Sequence, residues 1–396
     1  VLNRLLDSSY DEAVRGNLVP LTVTRIVANT GYRFAPPFIA IIAGAEQGFD
    51  VSIARVGLIV SISELAGFLA PLLGTLVDRV SRRTSMALGL TGAFVGIMLM
   101  ALAPNLIVLC VGLTLLNLMK SCFDLGMAAW ISDRVPYAKR GRVVGLTETS
   151  WALSLLIGVS VLGVVTDVLS WRVACVVGGV FIAICGWWLD VRIRAAGEIT
   201  PVEKGSAPSV GRMTRRAWLV PLSMFGLMGA AQCLFVTFGA WLTDDFSFEA
   251  TGIAAVGFAL GAGELLSSIS SARLTDRIGK ERSVLLGTAF MVPSALLLAW
   301  FDSSLLIGLL GLAVFIVGFE YGVVSMLPIA TSLVDSAPGK GFGLVIGAGT
   351  FGRGLLTFVA TTLYESTGIV GAALSAVGCA LLSALTIYLF SRGTRS

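Results

Sequence analysis

Twelve apolar runs, each long enough to cross a bilayer, constrain this chain more than any other feature. A spanning helix needs about 20 predominantly apolar residues. Such runs lie at about 18–44, 52–76, 84–103, 105–133, 142–166 and 171–190, and again at about 217–243, 251–273, 282–301, 304–335, 341–364 and 369–390. The chain is 56% hydrophobic and only 13% charged, whereas soluble domains carry about 25% charged residues. It lacks the polar surface that a soluble fold of this length requires. Lipid is therefore the expected solvent, and an all-α integral membrane protein the expected fold class. Eight Trp and 21 Phe suit a bilayer and its interfaces.

Several function classes recede on composition. The net charge of +4 comes from short basic clusters scattered between apolar runs, which gives no groove for nucleic acid. All six cysteines sit inside apolar runs with no C-x-x-C pair, so they read as buried free thiols. The absence of histidine removes the usual zinc and triad chemistries, and no metal site is expected. No phosphate-binding loop, H-E-x-x-H or G-x-S-x-G motif occurs, which argues against an ATP-driven pump and against a membrane enzyme. With a polar stretch at Val1, no cleavable signal peptide is expected.

Lys and Arg set the orientation, because they accumulate on the cytoplasmic side. With both termini inside, 22 of the 28 fall in cytoplasmic segments, only Arg55 and Arg172 fall outside, and four lie within spans. The protein is thus expected to be a multi-pass protein of the cell (cytoplasmic) membrane with both termini cytoplasmic. A charged, Gly/Pro/Ser-containing stretch at 192–216 is the one linker. It separates an expected N-terminal six-helix bundle, 1–191, from a C-terminal one, 217–396.

The halves repeat one another. "GTLVDRVSRRTS" from Gly74 is echoed by "ARLTDRIGKERS" from Ala272, and Asp133, Pro136, Gly141 and Gly145 recur as Asp335, Pro338, Gly343 and Gly347. Two parallel six-span halves are a transporter architecture with a binding site expected between them near the midplane.

These residues resemble the major facilitator superfamily, which carries G-x-x-x-D-R-x-G-R-[KR] between spans 2 and 3. Gly74, Asp78, Arg79, Arg82 and Arg83 match it, with Ser81 for the second glycine; the second copy keeps Asp276, Arg277, Gly279 and Lys280. "DRVPYAKRGRVVGLTETSWALSLLIG" further resembles bacterial drug/arabinose-type efflux permeases. The resemblance implies two pseudo-symmetric six-helix bundles, with spans 1, 2, 4, 5, 7, 8, 10 and 11 lining a cavity. It also implies alternating access, with proton-coupled export of a small amphipathic or lipophilic compound as the leading function. Uptake or export of a sugar, organic anion or lipid-like substrate stands as the alternative, and a non-transporting membrane receptor behind it. No cofactor is expected beyond a proton gradient as energy source. The expected partners are a small-molecule substrate and the lipid bilayer, with the protein as a monomer.

Charges inside spans cost about 2.5–3.5 kcal/mol each even on the cheaper insertion scale. Arg25, Arg33, Glu64, Lys120, Asp124, Glu148, Glu264, Glu320 and Arg353 are such residues, and spans 3, 6, 9 and 12 hold none. With no histidine, proton coupling falls to Glu64, Asp124, Glu148, Glu264 or Glu320. Lys120 and Asp124, four apart, can pair on one helix face, and self-neutralisation competes with a transport role. Glu148 could instead anchor Arg142 or the span 2–3 loop. By depth, Arg33 is the expected counter-ion of Glu64, and Arg353 that of Glu264 or Glu320. Asn29, Tyr32, Asn117, Trp130, Trp151, Gln232, Phe235, Tyr321 and Met326 are softer cavity candidates, each open to a packing role. Gly141/Gly145, Gly257/Gly261, Gly318/Gly322 and Gly343/Gly347 have the spacing for close helix contact, and Pro36-Pro37 and Pro328 are expected kinks. Gly74, Asp78, Arg79, Arg82, Arg83, Arg142, Asp276, Arg277 and Lys280 are expected to act as gating loops, with Asp78 and Asp276 each capping the next helix or pairing with Arg142 or Lys340, contacts expected to form when the cytoplasmic side is closed.

Overall fold

A computed structural model describes residues 9–69, 73, 80–135, 143, 146–197, 214–331, 333 and 338–392. All regular structure among them is helical. The order is α1 (Glu12–Phe34), α2 (Ile39–Ala43), α3 (Ile53–Leu65), α4 (Arg82–Ala101), α5 (Leu106–Arg134), α6 (Ser150–Leu153), α7 (Ser160–Val168) and α8 (Trp171–Ala195), then α9 (Leu219–Phe246), α10 (Ala250–Ile278), α11 (Lys280–Trp300), α12 (Leu305–Thr331), α13 (Pro338–Thr367) and α14 (Ile369–Ser391). They trace the twelve passes expected from the apolar runs. Ten helices among the described residues are long and apolar enough to cross a membrane, the α6–α7 pass counting as one.

Local chemistry sets the helix ends. Asp11 accepts from the N–H groups of Ala13 and Val14, Asn105 from Ile107 and Val108, and Ser170 from Val173, each satisfying amides that a helix start leaves without partners. The Pro36-Pro37 pair stops α1 at Phe34 and starts a 3-10 turn, as expected of residues without an N–H. The two copies of the charged phrase start their next helix differently. Gly279, at φ 95°, takes a conformation that favours glycine, between α10 and α11. Ser81 stays extended at φ −63° and caps α4 through Thr84 N–H.

The chain forms two compact units, Val1–Ala35 with Ala66–Lys204, and Pro36–Leu65 with Gly205–Ser396. In the first, α4 and α5 approach backbone to backbone. A Cβ on Gly96 would stand 2.5 Å from Leu116 N and 2.7 Å from the Gly112 carbonyl, and one on Gly89 would stand 2.5 Å from Phe123 N. Gly96→Val must push the helices apart, at a cost of about 1–3 kcal/mol, and is expected to lower the thermal midpoint in detergent. Gly343→Ala is the control. A Cβ at Gly343 or Gly347 meets nothing within 4 Å, so the close contact expected of that pair is not formed, and the midpoint should stay level or rise slightly. In the second unit Gly318 does pack, with its Cβ position 2.7 Å from the Gly287 carbonyl. Pro328 lies inside α12, which continues to Thr331.

Candidate functional site

Four charged side chains meet in the interior of the first unit. Arg25 of α1 donates from Nε to Asp124 Oδ1 at 3.2 Å, and from Nη1 to Glu148 Oε1 at 2.8 Å and to the Thr147 carbonyl at 3.1 Å. Lys120 Nζ lies 2.7 Å from Asp124 Oδ2. The i,i+4 pair on α5 thus forms as its spacing suggests, but Arg25 enlarges it to two cations and two carboxylates. Glu148 pairs with Arg25, a partner that the sequence reading did not name beside Arg142 and the span 2–3 loop. Arg142 itself lies outside the described residues. Mutual pairing of this kind is how such groups are held in an apolar surround.

Aromatic rings close one side of this cluster. Lys120 Nζ sits 4.4 Å from the centroid of Trp151 and 5.1 Å from that of Tyr32, within the range of a cation–π attraction. The two rings meet edge to face at 5.7 Å. Arg33 stacks on Trp151 at 5.7 Å and donates from Nη1 to the Trp151 carbonyl at 3.0 Å. Asn29 donates to Ser150 Oγ at 3.2 Å, and its buried Oδ1 accepts no hydrogen bond.

Trp151 is positioned by a feature the sequence did not announce, a π-helical segment at Ser154–Val159. Ser154 Oγ donates to the Trp151 carbonyl, and Ser160 Oγ to the Leu155 carbonyl five residues back. Gly158 lies directly against the Thr30 side chain of α1, leaving no room for a Cβ. Such bulges are frequent at functional sites. Gly158 was visible in the sequence, but a bulge changes helical register without a composition signal.

The second unit holds the remaining carboxylates. Glu64, only 4% exposed, pairs with Arg353 at 3.3 Å. The depth argument gave Glu64 to Arg33, and Arg353 to Glu264 or Glu320; it did not name the Glu64–Arg353 pair, because depth is one coordinate and α3 packs along α13. Glu320 accepts from Ser268 Oγ at 2.5 Å. Glu264 is buried on α10. Phe235 packs edge to face on Phe319 at 6.3 Å. Gln232 Nε2 and the Tyr321 hydroxyl are buried without a hydrogen-bond partner. Met326 is fully buried, and Asn117 and Trp130 are buried in the first unit, Trp130 under Arg134 at 4.4 Å.

Of the gating residues, Gly74, Asp78, Arg79, Arg142 and the side chains of Asp276 and Lys340 lie outside the described residues, Arg277 is exposed, and Lys280 opens α11. Arg82 pairs with Asp133 at 2.9 Å, and Arg83 grips both oxygens of Asp190 at 2.7 and 2.9 Å. Asp190 was not singled out in the sequence. Its signal was a lone acid at the basic end of the sixth run.

A multi-pass helical protein that holds ion pairs such as Arg25–Asp124 and Glu64–Arg353 within its spans has the make-up of a membrane transporter. The sequence matches the Major Facilitator Superfamily over residues 21–361, and the chain belongs to that superfamily of secondary transporters. It is 29% identical over 251 residues to the uncharacterized MFS-type transporter YwfA of Bacillus subtilis, a match covering 61% of this chain and 60% of that protein. It is 28% identical over 314 residues to a multi-drug resistance efflux pump PmrA homolog of Lactococcus lactis, covering 74% of each. A bacterial homolog of the human lysosomal transporter Spinster, solved inward-facing and unoccupied, shares the fold with a TM-score of 0.76 at 13% identity, over 97% of this chain and 98% of that one.

Proposed function

We propose that this transporter exports a small amphipathic or lipophilic compound in exchange for protons, from a cell membrane in which both termini face the cytoplasm. The Glu320–Ser268 contact carries the proton part of this reading. A carboxyl that must gain and lose a proton needs a partner that serves both forms. A hydroxyl does so, donating to the carboxylate and accepting from the acid. Asp124, by contrast, is clamped by two cations, an arrangement that suits a fixed structural charge. The aromatic walls at Tyr32 and Trp151 suit an apolar substrate body, and similarity to a drug efflux pump homolog agrees with export. The stacking of both Lys120 and Arg33 on Trp151 favours a second reading, an organic anion.

Proteoliposomes holding the purified protein and an imposed pH gradient separate these readings, with ethidium as lipophilic probe and fluorescein as anionic probe. The expected result is gradient-driven ethidium movement that Glu320→Gln removes while leaving ethidium exchange at equal pH. Gradient-driven movement of fluorescein alone would favour the anion reading. Movement of neither probe, or ethidium flux indifferent to a proton ionophore, would overturn coupled export.

A further inference from the structure

The polar face of α10 does not end at Ser268. Glu264, Ser268, Ser271 and Thr275 recur at spacings of three and four, so they share one face of the helix. Opposite them on α12 stand Glu320 and Ser325. Ser271 Oγ lies 2.9 Å from Thr275 Oγ1 and 3.1 Å from Ser325 Oγ, and Thr275 Oγ1 lies 2.8 Å from Ser325 Oγ. All three hydroxyls are buried.

This triangle differs from the ordinary way hydroxyls are satisfied in an apolar helix, which is a bond back to the carbonyl four residues earlier. Thr237, Thr357 and Thr361 do that here. Ser271, Thr275 and Ser325 bond one another instead, and each oxygen is free to be donor or acceptor in those bonds. A closed set of interchangeable donors and acceptors can pass a proton by successive hydrogen-bond transfer and hydroxyl rotation. The step from Ser268 to Ser271 is a single helical turn between side chains that are neighbours on the helix surface, and the proposed path crosses it through one bridging water.

We propose that Ser268, Ser271, Ser325 and Thr275 form a proton relay linking the Glu320 carboxyl to the cytoplasmic end of α10. The relay rests on the proposed coupling role of Glu320 and on the proposed orientation. In the releasing direction the O–H bond of the Glu320 carboxylic acid breaks and its proton bonds to the Ser268 oxygen. Ser268 gives up its own proton to the bridging water, which gives up one of its own, and the same exchange repeats through Ser271 and Ser325 to Thr275, which passes a proton to water at the cytoplasmic end. Glu320 ends as a carboxylate and every hydroxyl again holds one proton. Beyond the relay, Arg273 and Arg277 on α10 are exposed, so the path leaves the protein among solvated cations that do not trap the proton.

The test is a rapid pH jump on the purified protein, followed by the infrared carboxyl stretch of Glu320, which is assigned by its loss in Glu320→Gln. Ser325→Ala and Ser271→Ala are expected to slow the appearance of this band at least about tenfold, as removal of a positioned proton carrier does. Ser325→Thr, which keeps a hydroxyl, should stay near the wild-type rate. Ser325→Cys keeps the volume but relays poorly, and should be slow in a protein whose thermal midpoint shows it folded, whether or not the alanine variants fold. Wild-type rates in the Cys and Ala variants would overturn the relay while leaving Glu320 as the coupling site. A wild-type protein with no Glu320 band at any pH would overturn the coupling role, and the relay with it.

Discussion

Arg25→Gln is expected to destabilise the protein by about 3–5 kcal/mol, the usual cost of removing one partner from a buried ionic cluster, and to abolish transport. The arginine satisfies three acceptors from two passes, namely Asp124, Glu148 and the Thr147 carbonyl. A glutamine reaches fewer of them and carries no charge, leaving two carboxylates to share Lys120. The two carboxylates should not matter equally. The Glu148 side chain is 41% exposed and that of Asp124 24%, so solvent screens the Glu148 pair, and Glu148→Gln alone should cost below about 1 kcal/mol. Arg25→Gln combined with Glu148→Gln removes one cation and one anion and leaves the Lys120–Asp124 pair complete. It should recover a large part of the loss. Arg25→Lys should recover less, because the donors of an ammonium radiate from one nitrogen and do not span acceptors on two passes as the planar guanidinium fork does. Unfolding in detergent, read by thermal midpoint and denaturant titration, measures all four. An Arg25→Gln protein within about 1 kcal/mol of wild type would show that the cluster does not depend on its arginine.

Much of this architecture was written into the sequence, and the reasons are specific. The apolar runs fixed the passes because lipid leaves a helix little choice. The Pro36-Pro37 pair was legible as a break in the first span because its chemistry is local. The Lys120–Asp124 pair was legible because both residues lie on one helix. Partners on different helices were not legible. Depth along a span is one coordinate, whereas pairing needs rotation and neighbour as well, so Arg33 was named for Glu64 and Arg353 was not. The π segment before Ser160 was hidden for a related reason, since it shifts register by one residue without changing which residues are apolar. The hydroxyls of α10 and α12 looked like ordinary helix polar residues until two helices were laid side by side.

Arg353→Leu should be about as damaging as the loss of Arg25, because it leaves the Glu64 carboxylate buried without this cation, at about 3–5 kcal/mol. The Glu64–Arg353 pair is one of four contacts along a seam between α3 and α13. Glu365 caps the start of α3 by accepting from Ala54 N–H at 2.7 Å, Gly57 lies directly against Thr361, Ser61 donates to the Gly354 carbonyl at 2.5 Å, and Glu64 meets Arg353. Residues 54, 57, 61 and 64 fall on one face of α3, so the ion pair closes a continuous stripe rather than standing alone. A double-mutant cycle with Glu64→Leu and Arg353→Leu isolates the pair. Each single change removes one charge of the pair, but the double change removes both and leaves two apolar residues, so it should cost much less than the sum of the singles. The expected coupling energy is about 2 kcal/mol, toward the upper part of the range for contacting residues. A coupling below about 0.5 kcal/mol would place the pair with exposed ion pairs, and the depth of Glu64 would then have to be supported by the other contacts of the seam.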